Sequence, residues 1–261
     1  MKSKYHIKKM IHKNNTSRFI ELDLLRGLAL MIMVLAHILW DLDYYKLVPL
    51  NKQVYSIFQD ITPNLFFMLI GMCVIVSLKK KTFQNLIEEN NYYKHTVFRG
   101  LKIFCLGILL TAATMIFIPE KPIMFGVLHC IGLSLVLSVP FLKYRNYNVL
   151  FSMMLISLGV LLNNIIINKP TILHLAVGLH QEGAWQYTVD YFPLFPWFGI
   201  CLLGIVLGDW LYCGDKRAFK FPDLSKYRPA KLFSWIGQHS LGIYLAHQPI
   251  IAGVLILYRM I

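Results

Sequence analysis

The 261-residue chain has little charge for its length, since Asp, Glu, Lys and Arg make up 15% of it while apolar and aromatic residues make up 57%. Soluble globular domains average about 25% charged residues, so this composition argues against one. Short segments of alternating apolar and polar residues are also missing, which excludes a transmembrane β-barrel. The sequence instead contains seven apolar runs of membrane-spanning length, at about residues 22–42, 57–78, 99–118, 123–141, 148–168, 194–212 and 232–258.

These runs predict an all-α fold, a polytopic transmembrane helical bundle of about seven spans. The last run is long, and its first part could form a short surface helix, which would allow eight. We see no internal repeat, so residues 21–261 are predicted to form one transmembrane domain behind a basic cytoplasmic tail at residues 1–20. No small-residue cleavage site follows residues 27–40, so the first run is interpreted as a retained helix rather than a signal peptide.

Cysteine is scarce and is not arranged for metal binding or for disulfides. No pair has the spacing of a metal site, and none lies in a predicted outer loop where a disulfide would form. We interpret all five as small apolar side chains and expect no metal; they are Cys73, Cys105, Cys130, Cys201 and Cys213.

Acidic residues are outnumbered, with 13 Asp and Glu against 26 Lys and Arg, for a net charge of +13. Most of the basic residues fall on alternating loops of the predicted bundle, in residues 1–23, 79–102, 142–148 and 213–231. By the positive-inside rule this placement predicts a cytoplasmic N-terminus in the cell membrane. The basic excess is then an orientation signal and a contact with anionic lipid of the bilayer, and nucleic acid is not an expected partner.

The first run, Leu22 to Leu42, carries three ionisable residues, Arg26, His37 and Asp41. In a helix, Arg26 and His37 return to nearly the same face after three turns and lie about 16 Å apart along the axis. Asp41 follows His37 at the i+4 spacing, where neighbouring side chains touch. Because ionisable groups at membrane depth are costly, such residues usually face a protein interior and mark a functional site.

Further polar residues lie in other predicted spans or at their ends, and we expect a shared internal polar site. They are Asp60 and Asn64 in the second span, His129 in the fourth, Asp190 and Trp197 around the start of the sixth, and Tyr244 and His247 in the last. An Arg suits phosphate groups, and a neutral His suits removal of a proton near physiological pH. An Asp could hold the imidazole tautomer. This layout fits an elongated phosphorylated donor with its phosphates inside and its reactive end pointing outward.

Several segments resemble known membrane acyltransferases. Arg26 and His37 match the Arg-x10-His pattern of the acyltransferase-3 family, and the segment from Glu21 to Ala29 resembles the opening of such enzymes. The rest resembles the heparan-α-glucosaminide N-acetyltransferase catalytic-domain family in four segments, which are Phe58–Phe67 with Gly71, Phe125–Gly132, residues 190–199 and Ser240–Pro249.

The resemblance implies transfer of an acetyl group from cytosolic acetyl-CoA, as donor substrate, to an amine or hydroxyl of an envelope glycan on the outer side. Arg26 would contact the CoA phosphates, and His37 would act as general base or carry the acetyl group transiently. Asn64, Tyr244 or His129 would donate to the developing oxyanion. The remaining candidates are Asp41, Asp60 and His247 for catalysis, with Asn64, Asp190, Trp197 and Tyr244 for substrate binding. A homo-oligomer is left open.

Two departures from the family bear on these roles. Lysosomal members look to use a His in the loop after the first span, whereas this chain has no His between residues 38 and 94. Base chemistry therefore falls on His37 or elsewhere. The outer loop is also shorter than a heparan-binding enzyme would suggest, which leaves the acceptor open.

Two other functions fit the same residues. A transporter or proton-coupled carrier would use buried Asp and His to relay protons, although we see no inverted repeat. A haem-binding electron-transfer protein would use facing His pairs as iron ligands. Each candidate also has a structural interpretation: Asp41 and Asp60 could pair with neighbours, His129 and His247 could be hydrogen-bonded packing residues, and Asp190 could cap the sixth span.

Overall fold

The computed structural model describes residues 18–183 and 187–260, and most of them are helical. The helices are α1 (Ile20–Tyr44), α2 (Lys52–Phe83), α3 (Glu89–Phe117), α4 (Val127–Lys143), α5 (Asn148–Asn163), α6 (Ile172–Val177), α7 (Leu194–Leu211), α8 (Arg228–Gln238) and α9 (Ser240–Met260). In the described part of the chain, 3₁₀ helices cover Arg145–Tyr147 and Leu224–Lys226. The predicted all-α class is confirmed. Most of the predicted basic tail, residues 1–17, lies outside the described residues.

Two predicted boundaries differ from the structure. Helix α3 begins at Glu89, so the connection predicted over residues 79–98 is reduced to the short stretch between Phe83 and Glu89. The run predicted over residues 232–258 is divided at His239 into α8 and α9. The division of this run corresponds to the alternative in which its first part forms a separate helix.

Five of the described helices are long and apolar enough to cross a membrane: α1, α2, α3, α7 and α9. Together they make the chain a multi-pass membrane protein. Helices α4 and α5 are apolar but shorter, with 17 and 16 residues, where a span needs about 20. The count of seven spans and the cytoplasmic N-terminus stay predictions.

The chain divides into two compact units. In its described part, the first unit comprises residues 18–62 and 222–260, and so contains α1, the beginning of α2, α8 and α9. Helices α1 and α8 cross with their backbones in contact: a Cβ atom on Gly27 would overlap the Phe233 carbonyl oxygen, and one on Gly237 would overlap that of Asp23. Small residues at such crossings let membrane helices approach closely.

The second unit comprises residues 63–221. Helices α2 and α7 cross closely there, since a Cβ atom on Gly71 would overlap the Cys201 carbonyl oxygen and one on Gly204 would overlap that of Met68. Fully buried apolar side chains fill the unit around this crossing, among them Phe67, Ile75, Leu202 and Ile205. The predicted single domain over residues 21–261 stays a prediction.

A short antiparallel hairpin, Tyr212–Cys213 paired with Lys216–Arg217, follows α7. The Lys79 ammonium donates to the carbonyl oxygens of Asp209 at 2.6 Å and Tyr212 at 2.9 Å, and it forms an ion pair with the Asp209 carboxylate at 2.7 Å. Arg145 contacts the same carboxylate at 3.3 Å. These bonds fix the ends of α2 and α7 to the hairpin, so Lys79 is a structural cation.

Candidate functional site

Arg26 lies on α1 beside the α1–α8 crossing. Its Nη1 atom donates to Asp23 Oδ1 at 3.1 Å and to the Gly237 carbonyl oxygen at 3.2 Å. Gln238 Nε2 donates to the other Asp23 oxygen at 3.2 Å. Asp23 is buried, whereas the Arg26 side chain is 24% exposed. Arg26 is therefore held in place by an acidic partner while part of its surface stays open.

His37 lies three turns further along α1, and its ring contacts that of His247 on α9. The ring centroids are 5.0 Å apart and the planes are tilted by 52°. The Tyr244 ring also contacts that of His247, with ring centroids 5.5 Å apart. The structure thus brings together three of the predicted site residues, two histidines and a tyrosine, on two helices.

The imidazole of His247 has a defined tautomer. Nδ1 is hydrogen-bonded to the main-chain carbonyl oxygen of Tyr244. Because a carbonyl oxygen only accepts, Nδ1 must carry the proton, and in the neutral ring Nε2 then holds a lone pair. Nε2 is buried and has no hydrogen-bond partner among the described residues.

Asp41 is buried and is bound from α9. Gln248 Nε2 donates to Asp41 Oδ2 at 3.0 Å, while Gln248 Oε1 is buried without a partner in the part of the chain that the structure describes. Among the same residues no hydrogen bond joins Asp41 to His37. The predicted Asp41–His37 contact is therefore replaced by two contacts to consecutive residues of α9, because α9 packs against this face of α1.

Asp60 and Asn64 lie one turn apart within α2, at exposed positions. Pro63, between them, lies inside the helix rather than at its start. The predicted roles of both residues stay predictions.

In the second unit, His129 and Asp190 each accept a hydrogen bond from the main chain at the start of α4. The Gly126 N–H donates to His129 Nδ1 at 3.2 Å, and the Val127 N–H donates to Asp190 Oδ2 at 3.0 Å. The first N–H groups of a helix lack partners within the helix and need such acceptors. Asp190 was expected to cap the sixth span if its role were structural, but it caps α4 instead, since residues 190–192 run alongside Phe125.

Burial raises the pKa of the Asp190 carboxyl to about 6, although the hydrogen bond from Val127 favours its charged form.

The His129 ring packs against two aromatic rings, edge-on to Phe104 and stacked on Phe125. Trp197 belongs to a different aromatic cluster, where its ring stacks on Phe67 at 5.3 Å and contacts Phe192. These contacts explain the positions of His129, Asp190 and Trp197 by packing and capping.

Sequence reasoning missed the polar partners of the candidate residues. Gln248 holds Asp41, and Gln238 shares Asp23 with Arg26. Gln248 could have been found, because a Gln directly after a His within an apolar run needs a buried partner. Gln238 offered no such signal. Among the described residues no group of three or more His, Cys, Asp or Glu side chains could hold a metal ion.

The helices and these contacts define a multi-pass helical membrane protein in which several polar side chains, among them Asp23, Asp41 and His247, are buried between helices. Residues 18–249 match the family model described as heparan-alpha-glucosaminide N-acetyltransferase, catalytic. The chain belongs to this family, which confirms the resemblance seen in the sequence and makes it a membrane acetyltransferase. A search of curated proteins and one of solved structures find no match to the chain.

Proposed function

We propose that the protein transfers an acetyl group from cytoplasmic acetyl-CoA to an amine or hydroxyl of an envelope glycan on the outer side of the cell membrane. The observation that carries this proposal is the placement of Arg26 and His37 on one continuous helix. They lie about 16 Å apart along its axis, which suits a long donor with phosphates at one end and a thioester at the other.

At the donor end, Arg26 binds a phosphate of CoA. A guanidinium offers a planar set of donors that matches phosphate oxygens, and such charge-assisted bonds are stronger than neutral ones. Asp23 and the Gly237 carbonyl oxygen hold the Arg26 side chain in one orientation. This preorganisation lowers the entropy lost when the phosphate binds.

At the acceptor end, His37 is the general base. The acceptor nitrogen or oxygen attacks the thioester carbon, the new N–C or O–C bond forms and the C–S bond breaks. His37 takes the proton of the acceptor group and returns it to the departing thiolate, so CoA leaves as the free thiol. A positioned base of this kind contributes about 10²–10⁴-fold to a rate.

Of the two rival functions, the spacing of the His37–His247 pair disfavours the haem protein. Two axial histidines bind iron from opposite faces of the macrocycle. Rings whose centroids are 5.0 Å apart leave no room for a porphyrin between them.

The test is an incubation of purified protein with acetyl-CoA labelled in the acetyl group and a panel of glycan acceptors. We expect label on at least one acceptor, and treatment with alkaline hydroxylamine separates stable amides from labile esters. The same assay in vesicles, with acetyl-CoA on one side and acceptor on the other, tests the sidedness. Label that crosses intact without acetylated product would indicate a carrier and overturn the proposal, as would the absence of product with every acceptor.

A further inference from the structure

We propose that His247 and His37 form a two-histidine proton relay, in which His247 Nε2 accepts a hydrogen bond from the His37 ring and orients it as the base. This inference rests on the proposed function. His247 acts through His37 and is therefore a positioning residue, in the place that the sequence had assigned to Asp41.

The first argument is the contact itself. Among the described residues, the hydrogen-bond partner of Asp41 is Gln248, whereas the ring that touches His37 is that of His247. A catalytic base needs a group that fixes its tautomer by accepting from its second nitrogen. Within residues 18–183 and 187–260, the ring that packs against that of His37 belongs to His247.

The second argument is the tautomer of His247. Its Nδ1–H donates to the Tyr244 carbonyl oxygen, so Nε2 is the ring atom that can accept a hydrogen bond. A His37 ring that donates to this lone pair must have its proton on the nitrogen facing His247. Its other nitrogen is then unprotonated, as a general base requires.

The third argument is energetic. His247 is 9% exposed, and its Nε2 atom is buried without a partner among the described residues. A buried polar atom left unpaired costs about 1–3 kcal/mol. If His247 served only for packing, nothing would offset this cost. Catalytic hydrogen bonds, in contrast, are often long before the substrate binds and tighten in the complex. The ring centroids are 5.0 Å apart, and we expect the bond between the rings to form when the substrates bind.

The relay conserves protons at each step. The acceptor N–H or O–H proton moves to the free nitrogen of His37, and the positive charge formed there is shared with His247 through the bond between the rings. The same proton then leaves His37 for the thiolate sulfur of CoA, and both histidines return to neutrality.

Two substitutions separate this role from a structural one. His247→Asn keeps an N–H donor for the Tyr244 carbonyl oxygen but has no acceptor at the Nε2 position. His247→Gln extends an amide oxygen to the Nε2 position but loses the bond to Tyr244. The relay predicts that Asn lowers kcat by about 10²-fold or more, and that Gln retains more activity than Asn. The KM for acetyl-CoA should stay within about twofold in both, because Arg26 sets the donor contact. If His247 has only a structural role, the Asn variant, which keeps the bond to Tyr244, should be more active than the Gln variant. The activities of the two variants should then follow their melting temperatures.

A double substitution gives an independent readout. If the two histidines act as one unit, His37→Asn with His247→Asn should lower kcat about as much as His37→Asn alone, because members of a unit are not additive. Additive losses would overturn the relay, and so would a His247→Asn variant with the wild-type kcat. If His247→Asn does not fold, a His247→Gln variant no more active than His37→Asn overturns it. A wild-type protein without acetyltransferase activity would instead overturn the proposed function.

Discussion

His247 and His129 are both buried histidines, and they differ in what their ring nitrogens contact. In the first unit, His247 donates through Nδ1 to the Tyr244 carbonyl oxygen and leaves Nε2 buried without a partner among the described residues. In the second unit, His129 Nδ1 accepts from the Gly126 N–H at the start of α4. The neutral His247 ring therefore carries its proton on Nδ1 and has its lone pair on Nε2. The neutral His129 ring has its lone pair on Nδ1, where it accepts the capping hydrogen bond, so the two rings are opposite tautomers.

The carboxylates show the same contrast. Asp190 accepts from the main chain at a helix start, and its position is explained by the N–H group that it satisfies. Asp41 accepts from Gln248, a side chain that itself leaves a buried oxygen without a partner among the described residues. A polar residue type in an apolar run therefore does not identify a site by itself. A buried acceptor atom that has no hydrogen-bond partner once the helices have packed is a stronger indication of a functional site.

Replacement of His37 should have the largest effect. His37→Asn is expected to lower kcat by about 10²-fold or more, since it removes the general base. The measurement is the initial rate with labelled acetyl-CoA and the best acceptor. His95→Asn provides the control, because His95 is an exposed histidine on α3 outside the candidate site. Equal rates for the two variants would remove His37 from the mechanism.

The matching change in the second unit should reduce stability. His129→Leu leaves the Gly126 N–H without its acceptor, which costs about 1–3 kcal/mol, and each kcal/mol lowers the melting temperature by about 2–4 °C at this chain length. His129→Gln is the conservative variant, because a Gln at the third helical position can reach back to the same N–H. Unfolding followed in detergent by tryptophan fluorescence checks both. If Gln fails to restore the melting temperature lost in Leu, capping is not what His129 does.

Arg26→Ala should raise the KM for acetyl-CoA by about tenfold, a loss of roughly 1.4 kcal/mol, while kcat changes less. The physical reason is the loss of a charge-assisted contact to phosphate. Arg26→Lys keeps the charge but not the planar set of donors, so its KM should lie between those of the wild type and the Ala variant. A KM for the Ala variant equal to that of the wild type would contradict the phosphate contact.

Asp41→Asn should cost only a few-fold in kcat, less than His247→Asn. The Asn side chain keeps an oxygen for Gln248 Nε2, and among the described residues Asp41 makes no hydrogen bond to His37. The rate assay used for His37 measures this difference. A loss as large as that of His37→Asn would restore Asp41 to the relay position that the sequence predicted and would displace His247 from it.

The sequence was sufficient for features that depend on one helix. The spacing of Arg26 and His37 follows from helical geometry. The apolar runs located most helices, because a helix that crosses the bilayer needs about 20 predominantly apolar residues. Contacts between helices could not be predicted. Whether Asp41 meets His37 or Gln248 depends on how α9 packs on α1, and whether Asp190 caps α4 or α7 depends on the path of a loop. Neither is encoded in a local pattern.

The smallest expected effect concerns the pH dependence of stability at Asp190. Burial raises its pKa from 3.8 to about 6, so the folded protein binds this proton more tightly than the unfolded chain does. The charged carboxyl therefore lowers the free energy of unfolding above about pH 6, and this cost disappears as the pH falls toward 3.8. Asp190→Asn keeps an acceptor for the Val127 N–H but never ionises.

At pH 7.5 the Asn variant should melt at or slightly above the wild-type temperature, and the difference should shrink as the pH is lowered through about 6. Asp190→Leu is the comparison variant, since it leaves the Val127 N–H unpaired and should lower the melting temperature at every pH. Melting curves of the three proteins in one detergent over this range measure the effect. A difference between Asn and wild type that stayed constant from pH 5 to pH 8, or widened toward acid, would show that Asp190 contributes to α4 through its charge and not only as a hydrogen-bond acceptor.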